Sequence, residues 1–302
     1  MNSETEGVDE EPRCASCGIT QGDDIKLMKC TACKLAQYCS VACQKEHRPK
    51  HKRECKRRAA ELREELLFKQ PESTHLGDCP ICLLPLSNNQ DKNTTMVCCV
   101  QVVCRGCALA NDQREIRESL ERKCPFCRHP IPKSQADLDK SIKKRAEMDC
   151  PAALRMIGDE CYTKGDFGSA FKYYTKAAGL KDAQAHYELS NMYYEGLAVE
   201  KNEKMENHHL EEAAIAGQWE ARYNLGNDEG NKGNIERAVK HYVIAASHGD
   251  DDAVDALRKG YRVGQISKEV FAAALRAHQA AIDATKSPQR EAADSAQYIE
   301  FK

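Results

Sequence analysis

The stretch that decides the fold of this 302-residue chain is residues 14–55, CASCGITQGDDIKLMKCTACKLAQYCSVACQKEHRPKHKREC. Its metal-binding side chains come in four close pairs: Cys14 with Cys17, Cys30 with Cys33, Cys39 with Cys43, and His51 with Cys55. Eight such ligands fill two tetrahedral zinc sites. Because the segment has too few large apolar residues for a core of its own, zinc must supply the folding free energy, roughly 10 to 16 kcal/mol per structural site. We expect it to be unfolded without metal.

The order of these ligands, with the run Tyr38-Cys39-Ser40-x2-Cys43-Gln44 and the later His51-x3-Cys55, resembles the MYND family of zinc fingers. The resemblance implies a cross-braced pair of ions. One ion would be held by Cys14, Cys17, Cys39 and Cys43, and the other by Cys30, Cys33, His51 and Cys55. Spacing alone does not reveal that pairing.

Members of this family bind short proline-containing peptides in a shallow groove, and the resemblance places Gln44 in that groove. Arg48 stands where the family usually has Trp. An Arg side chain cannot offer a proline the same flat, apolar ring, so the departure bears on peptide binding and leaves zinc binding unaffected. His47 lies four residues before His51 and could face the same ion on a helix, but the family pattern omits it, and we leave it unassigned.

A second set of eight cysteines follows: Cys79, Cys82, Cys98, Cys99, Cys104, Cys107, Cys124 and Cys127. The C-P-I-C opening and the C-P-F-C-R close resemble a RING finger over residues 79–130. The family's middle ligands are commonly Cys-x-His, whereas here Gln101, a poor zinc ligand, takes the place of the His. Either Cys98 and Cys99 both bind the second ion, or that ion is absent or weakly held in a degenerate finger; we favour the first. Four zinc ions are then expected, the fourth depending on this pair.

The RING resemblance also implies partner-binding residues. Ile81 and Pro125 match the positions that contact a ubiquitin-conjugating enzyme, and Arg128 matches the cation that reaches the donor ubiquitin. The planar fork of an Arg side chain suits hydrogen bonding to carbonyls of two proteins, although Arg128 could equally be a solvated surface charge. A helix is predicted over 108–122, with Ile116 and Leu120 on its apolar face.

The C-terminal half contains an internal repeat. Ala153, Ala185, Ala221 and Ala253 recur at intervals of 32, 36 and 32 residues. Phrases such as GDFGSAFKYYTKAA and AHYELSNMYYEG resemble Sel-like repeats, relatives of tetratricopeptide repeats, over residues 151–283. The turns within the repeats are expected at Gly165, Gly196 and Gly233, and a last helix is expected from the capping residue Ser267. Stacked helix pairs form a concave surface for extended peptides or proteins; the alternative is a spacer or dimer contact.

Composition supports a modular protein with metal-binding fingers. Fifteen of the 17 cysteines lie between Cys14 and Cys127, and no export signal or run of 18 apolar residues occurs, which favours metal ligation in the cytoplasm or nucleus. Residues 45–58 carry an excess of six positive charges without interleaved aromatic residues. We interpret them as a solvated helix and regard nucleic acid as an unlikely partner.

The predicted fold class is α with small zinc-stabilised modules: two cross-braced fingers, MYND-like and RING-like, followed by an α-solenoid of helical hairpin repeats. The expected order is an acidic disordered tail (1–12), the first finger (13–56), a helical linker (57–75), the second finger (76–131), a charged linker (132–150), the helical array (151–283) and a C-terminal tail (284–302).

Two functions fit this plan. The first is a RING-type ubiquitin ligase that positions a ubiquitin-conjugating enzyme while the first finger and the helical array recruit protein substrates. The second is a non-catalytic adaptor that uses the same modules to bind proteins or peptides. The sequence contains no phosphate-binding loop, nucleophile elbow or zinc-protease helix motif that would indicate a second enzymatic centre.

Overall fold

The computed structural model describes residues 11–22, 24–132 and 134–295. It divides into two compact units, Met1–Lys69 and Gln70–Lys302. Of the tail predicted for residues 1–12, residues 1–10 lie outside the described part.

The first unit contains a two-stranded antiparallel sheet and one long helix. Strand β1 (Met28–Lys29) pairs with β2 (Gln37–Tyr38), and helix α1 (Val41–Leu67) follows. The hydroxyl of Ser40 accepts a hydrogen bond from the Cys43 backbone N–H at 3.2 Å and caps the helix. Helix α1 starts inside the first finger and runs on to Leu67, so residues 57–67 of the predicted helical linker (57–75) continue the finger's own helix, whereas residues 68–75 are not helical.

The second unit begins with the second finger. After a 3-10 turn at Gln90–Lys92, strands β3 (Asn93–Met96) and β4 (Gln101–Cys104) form an antiparallel hairpin, and helix α2 is Arg105–Arg117. The helix predicted over 108–122 is thus shifted towards the N-terminus.

The apolar face predicted for this helix was wrong. Ile116 is 55 % exposed, and Leu120, 49 % exposed, lies beyond the end of α2. The chain leaves the helix through Ser119, whose φ is 53°. The buried side of α2 carries Glu115, whose carboxylate accepts hydrogen bonds from the Lys123 backbone N–H at 3.2 and 3.3 Å.

The charged linker forms helix α3 (Gln135–Ala146), which packs on α4. The helical array follows with α4 (Pro151–Thr163), α5 (Phe167–Gly179), α6 (Ala183–Glu195), α7 (Glu203–Ile215), α8 (Trp219–Asn231), α9 (Ile235–Ser247), α10 (Asp251–Arg262) and α11 (Lys268–Ala284). Ser267 caps α11 by accepting from the Val270 N–H at 3.3 Å. Each helix packs on the next one, which is the arrangement of a solenoid.

The repeated small residues sit where paired helices meet. All four repeat alanines, from Ala153 to Ala253, are fully buried. At Gly158 an added Cβ would lie 2.6 Å from the Tyr174 ring, and at Gly226 it would lie 2.5 Å from the Tyr242 ring. Glycine therefore allows the second helix of each of these pairs to place a tyrosine against the first.

Helix α12 (Pro288–Ser295) lies in the segment predicted as a C-terminal tail, and it packs on α2 of the second finger. Other contacts also join this finger to the helical array within the second unit. The His75 N–H donates to the Gly217 carbonyl at 3.1 Å, and the His75 ring stacks on Trp219 with centroids 5.0 Å apart. The finger and the array therefore form one packed body.

Among the described residues, no helix is both long enough and apolar enough to cross a membrane.

Candidate metal centres

Four C-x-x-C turns share one backbone geometry. In each turn the residue after the second cysteine has a positive φ, between 57° and 77°, and its N–H donates to the carbonyl of the first cysteine at 2.8 to 3.0 Å; these residues are Gly18, Lys34, Leu83 and Arg128. The tight turn directs both sulfurs of the pair to the same side. Only one of the four residues is glycine, so the other three adopt a conformation that is unfavourable for side chains with a Cβ.

In the first finger the structure brings together two groups of four ligands. They are Cys14, Cys17, Cys39 and Cys43, and Cys30, Cys33, His51 and Cys55, and within each group the ligand atoms lie within 4.8 Å of one another. The Cys33 Sγ lies 3.2 Å from the Nε2 of the buried His51. These are the two sets that the MYND resemblance implies.

His47, left unassigned from the sequence, belongs to neither group. Its Nδ1 lies 3.1 Å from the Tyr38 hydroxyl, and its ring stacks on His51 with centroids 5.6 Å apart. Tyr38 itself is buried. His47 therefore supports a ligand by packing, and the four-residue spacing that made it a candidate ligand explains the stacking as well.

The second finger also contains two groups of four: Cys79, Cys82, Cys104 and Cys107, and Cys98, Cys99, Cys124 and Cys127. The turn of the β3–β4 hairpin places the neighbours Cys98 and Cys99 in the same group. Their sulfurs lie 3.4 Å from Cys127 Sγ and 3.8 Å from Cys124 Sγ, respectively. Gln101 lies in β4, is exposed and is not part of the group.

The turn that contains Cys98 and Cys99 has the backbone geometry of the C-x-x-C turns, but Met96 stands at the position of the first cysteine. The N–H groups of Cys99 and Val100 both donate to the Met96 carbonyl, at 3.1 and 2.6 Å, and Val100 has a φ of 57°. Met96 thus takes the backbone position of a first cysteine, Cys99 that of the second, and Cys98 supplies the missing sulfur.

The electrostatics of the cysteines show why a cation is needed. Burial raises the pKa of the Cys14 thiol, but backbone N–H groups of Cys17, Cys39 and Ser16 favour its thiolate, and its pKa is lowered to about 6. In the same group the Cys17 and Cys43 sulfurs, followed by burial, raise the pKa of Cys39 to about 12. A cluster therefore cannot ionise all its thiols at neutral pH without a positive ion between them.

The donor sets fit zinc. Four cysteines, or three cysteines and one histidine, are the ligand combinations of structural tetrahedral zinc sites, and soft thiolates favour this ion over Mg2+ or Ca2+. When bound, zinc cross-links turns that lie far apart in the chain and holds the fingers folded.

The first ligand group of the second finger is also contacted by a residue that could not be predicted from the sequence. Arg290, on α12, is 9 % exposed, and its guanidinium donates to Cys82 Sγ at 3.2 Å and to the Leu84 and Pro85 carbonyls at 3.0 and 2.6 Å. Burial raises the pKa of Cys82, but the Leu84 backbone N–H and Arg290 outweigh it and lower the pKa to about 7. No local motif marks Arg290, because its partners in the second finger lie more than 200 residues away along the chain.

The predicted partner-binding residues lie at the surface of the second finger. Ile81 is 41 % exposed, Pro125 is partly buried and Arg128 is exposed. The Arg128 guanidinium donates to the Asn111 side-chain oxygen at 3.4 Å. Two further apolar residues of these turns, Leu83 and Phe126, are 73 % and 46 % exposed.

In the first finger, Gln44 and Arg48 both line a groove of about 560 Å3 along the start of α1. The structure thus places the predicted peptide-contacting residue Gln44 in a surface depression together with Arg48.

Comparison with known proteins agrees with this geometry. The model of the MYND finger family matches residues 14–55, and the Sel1 repeat model matches residues 151–182, 183–217 and 219–250. The chain contains a MYND finger and three Sel1 repeats. The fourth helix pair, α10 with α11, lies outside these matches. The four clusters, two of them in the second finger, are consistent with an additional RING-like finger.

The chain is also similar to curated proteins over a short stretch. It is 61 % identical over 31 residues to a human (Homo sapiens) histone-lysine N-methyltransferase SMYD3 and 57 % identical over 30 residues to the mouse (Mus musculus) protein of that name. Each match covers 10 % of this chain and 7 % of the relative.

Among solved structures, the chain resembles a Sel1 repeat protein from Oxalobacter formigenes, with 21 % identity and a TM-score of 0.43 over 59 % of this chain and 73 % of the other. It also resembles c5321, a protective antigen of uropathogenic Escherichia coli with an SLR fold, with 19 % identity and a TM-score of 0.41 over 59 % of this chain and 38 % of that chain.

Proposed function

We propose that the protein is a RING-type ubiquitin ligase whose RING-like finger positions a ubiquitin-conjugating enzyme, while the MYND finger and the Sel1 repeats bind protein substrates. MYND fingers and Sel1 repeats are protein-interaction modules, so the presence of both in this chain supports binding to other proteins. The ubiquitin-ligase activity of the RING-like finger is the more specific part of the proposal.

The observation that carries it is the exposure of apolar side chains on both metal-binding turns that match the contact sites of RING fingers. Ile81 lies between Cys79 and Cys82, and Phe126 lies between Cys124 and Cys127. Both side chains are more than 40 % exposed, although the finger is small and has few large apolar residues to form its own core. Apolar groups left uncovered on a small zinc domain are suited to burial against another protein.

Such a ligase needs no nucleophile of its own. It holds the thioester between ubiquitin and the conjugating enzyme in a reactive arrangement, which lowers the entropic cost of attack by the substrate lysine. The exposed guanidinium of Arg128 donates to the Asn111 side-chain oxygen, and in this proposal it would also donate hydrogen bonds to both bound proteins.

Rigid attachment of the finger supports the same role. Two hydrogen bonds fix the RING-like finger on the Sel1 repeats within one unit: the His75 N–H donates to the Gly217 carbonyl at 3.1 Å, and the Asn88 side-chain amide donates to the His248 carbonyl at 2.7 Å. A substrate bound along the repeats would then be held at a constant distance from the conjugating enzyme. We do not extend methyltransferase activity to this chain, because the similarity to those enzymes is confined to 10 % of it.

The test is discharge of ubiquitin from purified conjugating enzymes to free lysine. We expect the wild-type protein to accelerate discharge with at least one enzyme of a panel. Ile81→Ala should reduce that acceleration about tenfold, as expected for an interface anchor worth about 1 to 2 kcal/mol. Leu180→Ala, at a residue of the repeats that is 42 % exposed, is the matched control and should have no effect.

Zinc content measured on every preparation ensures that only folded fingers are compared. If fully metallated wild-type protein accelerates discharge with none of the enzymes and binds none of them, the ligase proposal fails. The adaptor function, which shares the MYND finger and the Sel1 repeats, then takes its place.

A further inference from the structure

The groove on the MYND finger has an unusual charge. It is lined by 13 residues, of which four are Lys or Arg and none is Asp or Glu. The four cations are Lys45, Arg48, Lys52 and Lys56, all exposed side chains of α1. A groove lined in this way carries a concentrated positive potential.

These four cations have no carboxylate partners within the described part of the chain. None of the four forms an ion pair with any residue in the described part of the chain, whereas Arg57 and Arg58 on the same helix pair with Glu61 and Glu65 at 2.6 and 2.9 Å. The first turn of α1 contains no acidic residue, so the partial positive charge of the helix N-terminus adds to the same field.

The spacing of the cations sets the size of a ligand. Positions 45, 48, 52 and 56 fall on one face of the helix and span about 16 Å at roughly 1.5 Å per residue. An extended peptide covers that length with about five residues. Val41, 57 % exposed, stands at the N-terminal end of the same face and offers an apolar contact.

We propose that this groove binds an extended acidic peptide segment of a partner protein, with its carboxylates against the four cations and an apolar side chain on Val41. This inference rests on the protein-binding role proposed for the MYND finger and names the chemistry of its ligand, but it does not depend on the ligase activity. The substitution that places Arg48 at the position of the family's Trp removes a platform for proline and adds a charge for a carboxylate.

Charge alone would also attract nucleic acid, but the groove lacks the means to hold bases. Its aromatic lining residues are Tyr38, which is 2 % exposed, and His51, which is 8 % exposed and belongs to a ligand group. No exposed ring in the lining is available for base stacking. An acidic peptide, which needs only cations and an apolar contact, fits the surface better.

Fluorescence anisotropy with the full-length protein at ~0.15 M salt tests the proposal. The probes are a labelled peptide Glu-Glu-Leu-Glu-Pro-Glu and its counterpart Gln-Gln-Leu-Gln-Pro-Gln. The double variant Arg48→Gln, Lys52→Gln should weaken binding of the acidic peptide about tenfold or more. The control Lys50→Gln, Arg53→Gln removes the same charge from exposed positions of the same helix outside the groove and should change it by less than about twofold.

Equal weakening by the two double variants would overturn the proposal, because binding would then follow the overall charge of α1. Tighter binding of the glutamine peptide would also overturn it. The proposal would also be overturned if a single-stranded DNA oligonucleotide displaced the acidic peptide and bound more weakly to the Arg48→Gln, Lys52→Gln variant than to the wild type. Zinc content and circular dichroism of each variant establish that the finger is folded, and none of these results depends on ubiquitin transfer.

Discussion

The contact between α12 and the RING-like finger gives a quantitative prediction for Arg290→Ala. The substitution removes hydrogen bonds to Cys82 Sγ, to the carbonyls of Leu84 and Pro85, and to the Thr285 carbonyl at 2.9 Å. Hydrogen bonds to a charged group contribute about 1.5 to 3 kcal/mol each, but water can reach part of the vacated site. We therefore expect a loss of about 3 kcal/mol, the lower end of the range for breaking a buried charged contact.

The assay is zinc release to a chromophoric chelator, followed together with urea unfolding. Arg290→Ala should release one ion per chain faster than wild type, because a ligand thiolate loses its hydrogen-bond donor, while the two ions of the MYND finger leave at unchanged rates. Arg290→Lys, which keeps the charge but not the planar fork, should lie between the two. Arg276→Ala, at an exposed position of α11, is the control. Unchanged zinc release and an unchanged unfolding midpoint in Arg290→Ala would refute the assigned role.

Two further predictions concern the Sel1 repeats. Gly226→Ala should destabilise the protein by about 1 to 3 kcal/mol in urea unfolding, because the added Cβ would lie 2.5 Å from the Tyr242 ring; Gly230→Ala, on the same helix with its nearest atoms at 3.9 Å, should be neutral or stabilising, and equal effects would contradict the packing argument. Burial, reinforced by His186, lowers the pKa of His209 to about 4. This folded-state pKa lies below the unfolded value of about 6.5, so the neutral His209 ring contributes its full stabilisation above roughly pH 6.5 and loses it as the pH falls towards 4. At pH 5 the free energy of unfolding should be lower by about 1 kcal/mol, a value reduced for solvent screening of the partly exposed ring. His209→Gln should reduce the drop in unfolding free energy between pH 7 and pH 5, and an identical drop in both proteins would show that this residue does not cause it.

The four groups of candidate ligands could be predicted because their members are marked by residue type and spacing. Cysteines in C-x-x-C pairs are visible in any sequence, and the MYND resemblance supplied the cross-braced pairing that spacing could not. Cys98 and Cys99 were harder to place, since neighbours on an extended strand point in opposite directions. The hairpin turn that brings both sulfurs to one group depends on the Met96 carbonyl, which has no signature in the sequence.

The predictions that failed concern contacts between distant parts of the chain. Ile116 and Leu120 have helical spacing, but the helix ends at Arg117 and its buried side faces α12 and the ligand groups. Residues 288–295 look like part of a polar tail in the sequence. They are anchored by Arg290, which donates to carbonyls of the RING-like finger, and a contact with such a distant part of the chain leaves no local sequence pattern. The repeats were predictable for the opposite reason: their contacts recur between neighbours and leave a periodic pattern of alanine and glycine.

The central claim, that each of the four clusters holds one zinc ion, is tested most directly by elemental analysis of the purified chain. We predict four zinc ions per wild-type chain and three in the double variant Cys98→Ser, Cys99→Ser, with the other clusters intact. Three or fewer ions in the wild type, unchanged by the double substitution, would contradict the claim. The RING-like finger would then lack its second ion.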